Sequence, residues 1–233
     1  MEVLGRYLIE PFDRFWSEYG TGLEIEPELI RQAHSTIFGE LGADKTAPES
    51  PAWTKLRPDN LSYHVAHELG HHILRRQGYP KPLYGGQNPA GQDELRIIGD
   101  LQELVDHAAI RVILTPFGFN NDLILDRTAN GATQGLARSP VPKTNTTWFA
   151  TWAIRYAELS SELDIIRLEP IENLYQERAP AAAEIGNRLI TIMDKNGCQS
   201  SLTALKTMIE ARDELGLGNW EIIVQDPITN QIY

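Results

Sequence analysis

The chain has 233 residues, 42% hydrophobic and 23% charged, with a formal net charge of -11 at pH 7. This composition suits a soluble globular protein with one sizeable core or two small ones, and the acidity argues against a nucleic-acid partner, whose phosphates would need a Lys- and Arg-rich surface. The single cysteine, Cys198, excludes an internal disulfide; no apolar run approaches the roughly 20 residues that cross a bilayer; and the opening MEVLGRYLIEPFDRF interrupts its apolar residues with Glu2, Arg6, Glu10 and Asp13, so no signal peptide and no membrane partner are expected and the expected compartment is cytoplasmic.

Residues 1–19 and 27–41 carry apolar residues at mixed three- and four-residue spacing, which predicts two amphipathic helices, with Pro27 suited to the first turn of the second. Residues 42–59 contain three prolines and predict a loop. A helix follows over 61–76, with Asp59, Asn60 and Ser62 as candidate N-caps, Arg75 and Arg76 matching its C-terminal dipole, and Gly78 and Pro80 as a stop. Residues 78–91 are dense in Gly and Pro and predict irregular structure; a second helix spans 92–114, ended by Pro116.

The Asn-, Gly- and Pro-rich segment 117–145 reads as a long connection. Helical patterns return at 146–163, 180–195 and 200–215, with Pro180 early in one and Ser200 or Ser201 capping another, and WEIIVQ at 220–225 is the best strand candidate. The expected fold is mainly α with a small β component (α+β), divided into a metal-binding core over 1–116, the connection 117–145, and a helical C-terminal region 146–233 packed on that core.

HVAHELGHHIL, residues 64–74, holds four of the six histidines. Within it His67-Glu68-Leu69-Gly70-His71 matches H-E-x-x-H. At about 100° per residue, positions i and i+4 lie about 40° apart on a helix, so His67 and His71 can reach one metal ion. Glu68, one step around the helix, is placed to take a proton from a metal-activated water without being a ligand. Gly70 in mid-helix marks either close approach by a substrate or close helix packing. His64 can reach the same face one turn earlier as an outer hydrogen-bonding partner, a solvated side chain or an alternative ligand, and His72 points elsewhere, as a surface or core histidine.

A catalytic zinc site has three protein ligands and an open position, so a third must come from another element. The helix over 92–114 offers Glu94, Asp100, Glu103, Asp106 and His107. Glu103 and His107 form another i, i+4 pair, flanked by Leu101, Leu104, Val105, Ala108 and Ala109, and a carboxylate in such surroundings needs a partner that a metal ion would provide.

HELGH followed by Glu103-Leu-Val-Asp-His107-Ala-Ala-Ile-Arg-Val-Ile-Leu-Thr-Pro116 is similar to the ImmA/IrrE-type gluzincin metallopeptidases, with their HELGH helix and later E-x-x-A-[DN]-x-F-A-x(4)-L-M-P helix. The likeness covers residues 60–116. It implies a zincin-like core, zinc as cofactor, His67, His71 and Glu103 as ligands, and Glu68 as general base. His107 takes the place of the family's Asp or Asn, where it would either orient a ligand or bind the metal itself in place of Glu103. The implied activity is hydrolysis of a peptide bond in a protein or peptide substrate; the alternative is a non-catalytic, zinc-stabilised module that binds a partner protein.

Tyr79, Tyr84, Tyr156 and His107 are available to stabilise a developing oxyanion, with no spacing that selects among them. The loop over 78–91 would border the cleft, close over it as a lid, or simply connect two helices. The aromatic residues from Trp148 to Tyr156 recur at about four-residue spacing and read as a core stripe. Gly131-Ala-Thr-Gln-Gly135 lacks the Lys and Ser/Thr of a phosphate loop, and Cys198 reads as a structural thiol.

Overall fold

The computed structural model describes residues 2–3, 6–20 and 58–233. The expected helix over 27–41 and nearly all of the expected loop over 42–59 lie outside them. The described chain is mainly helical, with two two-stranded antiparallel sheets. It divides into two compact units, one of residues 1–73 with 110–127, the other of residues 74–109 with 128–233.

The first unit begins with strands β1 (Glu2–Val3) and β2 (Arg6–Tyr7), paired with Glu2 opposite Tyr7, and then helix α1 (Phe12–Tyr19). The N-terminal helix expected over 1–19 is thus confined to its second half. Helix α2 (Pro58–Arg76) spends most of its length in this unit. Asp59, Asn60 and Ser62, expected as caps, lie inside α2 because the helix begins at Pro58, whose missing N–H costs nothing in a first turn. Buried Ser62 instead uses its Oγ to accept from the backbone N–H of Ile9 at 3.0 Å.

The unit closes around aromatic rings. Phe15 of α1 meets Phe117 edge-on at 5.4 Å and Phe119 at 6.0 Å, Tyr63 of α2 meets Phe119 at 6.3 Å, and Arg14 donates to the Phe117 carbonyl at 2.8 Å. Such edge-to-face pairs add about 0.5–1.5 kcal/mol each beyond their buried area.

In the second unit, strand β3 (Lys81–Tyr84) pairs with β4 (Ile222–Gln225), Pro82 opposite Val224. β4 confirms the predicted strand, whereas β3 corrects the irregular reading of 78–91. Pro82 sits on an edge strand, where its lack of a donor is tolerated. Helix α3 (Gln92–Leu114) matches its expected span. The segment read as a long connection instead contains helix α4 (Asp122–Arg138), of 17 residues.

Helices α5 (Thr147–Glu162), α7 (Pro180–Asn196) and α8 (Ser201–Glu214) follow the predicted pattern. Ser200 caps α8 in a reciprocal capping box with Thr203. Helix α6 (Ile165–Arg178) was not foreseen; Asp164 caps it by accepting from the N–H groups of Ile166 and Arg167. α7 packs on α5, α6 and α8. At Gly186 it comes close to α5: a Cβ there would lie 2.8 Å from the Ala153 carbonyl oxygen and 2.6 Å from Cδ1 of Tyr156. Tyr175 of α6 is buried with its hydroxyl donating to the Trp152 carbonyl, and its ring stands edge-on to Trp152 and Tyr156, so the aromatic stripe is core.

Candidate metal centre

Helix geometry sorts α2 into a core face and a histidine face. Val65, Ala66, Leu69, Ile73 and Leu74 are buried, while His67, Glu68 and His71 are half-buried. The His67 and His71 rings lie 5.1 Å apart, nearly perpendicular at 77°, as expected of side chains one turn apart. Tyr63, one turn earlier, is buried and tilts its ring 6.0 Å from His67.

Gly70 resolves to close packing. A Cβ there would lie 2.9 Å from Cγ1 of Ile110, so the Ile110 side chain occupies the space that a larger residue would need.

His67, His71 and His107 each offer one ligand atom, and these atoms all lie within 4.8 Å of one another. The trio can hold a metal ion. Ligand nitrogens about 2.05 Å from a tetrahedral ion stand about 3.4 Å apart, closer than the 4.8 Å within which these atoms lie. Glu103, one turn before His107 on α3, is exposed and is not part of the trio. His64 is buried and also lies outside it. Burial, with the charge of Arg127, lowers its pKa to about 4, so at neutral pH it is an uncharged imidazole.

His107 has a partner that the sequence reading missed. Its Nδ1 lies 3.6 Å from Oε1 of Glu158 on α5, and the other carboxylate oxygen lies 3.5 Å from Nη1 of Arg155. The Glu158 side chain is only 8% exposed. Burial alone would lower the His107 pKa; the adjoining Glu158 carboxylate, helped by Glu103 and Glu162, outweighs it and raises the pKa above the ordinary histidine value. The sequence marks Glu158 only as a carboxylate in an apolar run with Tyr156, Ala157 and Leu159, which the structure buries; its partner comes from another helix and no spacing points to it.

The tyrosines considered as oxyanion donors have their own contacts. The buried Tyr79 hydroxyl donates to the Cys198 carbonyl at 2.9 Å, and burial pushes its pKa up to about 12. Tyr84 donates to Oε2 of Glu221 at 2.9 Å, and Tyr156 is buried against Tyr175. Cys198 is buried, in keeping with a structural thiol. Among the described residues no helix is long and apolar enough to cross a membrane.

No protein-family model matches this chain, and comparisons with curated proteins and with solved structures find no significant match.

Proposed function

We propose that the protein is a zinc-dependent metallopeptidase that hydrolyses a peptide bond in a protein or peptide substrate. The observation that carries the proposal is the convergence of His67, His71 and His107 beside Glu68, the residue between the two α2 histidines that has the chemistry of a base. The likeness of HELGH and the α3 segment to ImmA/IrrE-type metallopeptidases points the same way.

His67, His71 and His107 would hold the metal, with Glu103 the alternative to His107 that the family likeness favours. Bound there, zinc supplies Lewis-acid activation of a water and of the scissile carbonyl. Glu68 takes the proton of the attacking water as oxygen bonds to the carbonyl carbon, and delivers it to the amide nitrogen as the C–N bond breaks. A structural zinc site is closed by four protein ligands. Three histidines with an adjacent carboxylate suit a site that leaves one position for water, which favours catalysis over a purely structural metal.

The test has two stages. Elemental analysis should find about one zinc per chain in wild type and a loss in His67→Ala. Digestion of a proteome-derived peptide library, read by mass spectrometry, should then give cleavage by wild type and a fall on the order of 100-fold or more in Glu68→Gln, which keeps its zinc. A Glu68→Gln protein as active as wild type would sink the catalytic assignment, and a wild-type chain that takes up no zinc would sink the metal site.

A further inference from the structure

Helices α3 and α5 run side by side in one direction, as three cross-contacts in the same order along both establish. The Arg96 guanidinium lies 5.5 Å from the Trp148 ring, Thr151 Oγ1 donates to Asp100 Oδ2 at 2.6 Å, and Nδ1 of His107 lies 3.6 Å from Oε1 of Glu158. The last two contacts are separated by seven residues on each helix, two turns, so both fall on one shared face. Glu158 is therefore held opposite His107 by the helix register.

The third contact is incomplete. At 3.6 Å it is longer than a hydrogen bond, and Oε1 of Glu158 is a buried carboxylate oxygen with no hydrogen-bond partner among the described residues. Leaving such an atom unsatisfied costs more than leaving a neutral one. His107 Nδ1 is a donor beside it. A neutral imidazole carries one proton; if Nδ1–H is given to Glu158, the lone pair is left on Nε2.

We propose that Glu158 is the positioning residue of the metal centre: its carboxylate accepts the Nδ1 proton of His107, fixes the ring's tautomer and orientation, and leaves Nε2 to the metal. This inference rests on the metal reading above. It makes the site a carboxylate–histidine–metal relay whose outer member comes from α5. Partners of this kind raise ligand basicity, and their loss costs about 10- to 100-fold in metal affinity.

The test is zinc affinity, measured by competition with a chromophoric chelator, with the cobalt(II)-substituted absorption spectrum as a second readout. It compares wild type, Glu158→Ala, Glu158→Gln, His107→Ala and the double variant His107→Ala/Glu158→Ala. Glu158→Ala is expected to lose about 10- to 100-fold in zinc affinity and to shift the cobalt spectrum. Glu158→Gln, which keeps the size but not the charge, should lose less. In the His107→Ala background, removing Glu158 should have no further effect.

A folded Glu158→Ala protein that binds zinc like wild type overturns the proposal, as does an equal loss with and without His107. Should Glu158→Ala fail to fold, the near-isosteric Glu158→Gln carries the decision: at least a severalfold loss supports the proposal and wild-type affinity overturns it. The two levels separate cleanly. Wild type without zinc affinity removes the metal reading, whereas wild type that binds through His67 and His71 with no contribution from His107 or Glu158 removes this inference alone.

Discussion

α2 and α5 both carry residues with the chemistry of a metal site, but by opposite routes. On α2, His67, Glu68 and His71 are brought to one face by helix periodicity, and any helix with that sequence would present them so. On α5, Glu158 is one carboxylate in an apolar run, and it acquires a chemical context only through the register of α5 against α3. Local geometry can be read from spacing; a pairing between helices is decided by packing spread over many residues. The proposed ligand set should therefore be most secure where it is local and most open to revision at its third member.

The largest effects test that boundary directly. His67→Ala and His71→Ala should each lower zinc affinity by more than the roughly 100-fold that an outer partner can cost, and His107→Ala should do the same. Glu103→Ala should cost less than about tenfold, because Glu103 is exposed and outside the trio. Chelator competition on the four proteins ranks them, and a Glu103→Ala loss equal to that of His107→Ala would return the third position to the glutamate.

His64 sharpens the comparison within α2 itself, since it shares the histidine-rich stretch but is buried in its unit's interior. Its folded pKa of about 4 lies below the ordinary 6.5. The unfolded chain therefore binds the proton more readily, so this contribution to stability is full above pH 6.5 and is lost as the pH falls toward 4. The shift corresponds to on the order of 3 kcal/mol. In the metal-free protein, the stability difference between wild type and His64→Gln, from urea melts, should shrink by up to that amount between pH 7.5 and pH 4. A constant difference would mean that His64 is not held neutral by burial.

Legibility in the sequence follows the same division. α3 and α7 were found nearly to the residue because periodicity, Pro116 and Pro180 mark their limits. α4 was missed because Asn130, Gly131 and Gly135 lower its helix propensity, and α6 because Pro170 interrupts its pattern, although Asp164 was an available cap. β3 was hidden between Pro80 and Gly85, because a four-residue edge strand depends on β4, far along the chain, for its identity. In the candidate site, His67 and His71 were legible as a pair and His107 as an available donor. Glu158 was not, since its partner is on another helix.

Two glycines carry the contrast into stability. At Gly186 the space is filled: a Cβ would stand 2.8 Å from a backbone oxygen of α5, which cannot rotate away, so Gly186→Ala should force α5 and α7 apart at a cost of about 1–3 kcal/mol. At Gly131, within α4, a Cβ would meet nothing within 4 Å among the described residues. There glycine contributes only its unfavourable backbone entropy, and Gly131→Ala should stabilise the protein by up to about 1 kcal/mol. Urea midpoints of the two variants should move in opposite directions. If Gly131→Ala instead destabilises, the open space beside α4 is filled by something that folding requires, and the reading of this helix as one whose glycines weaken it without serving its packing fails.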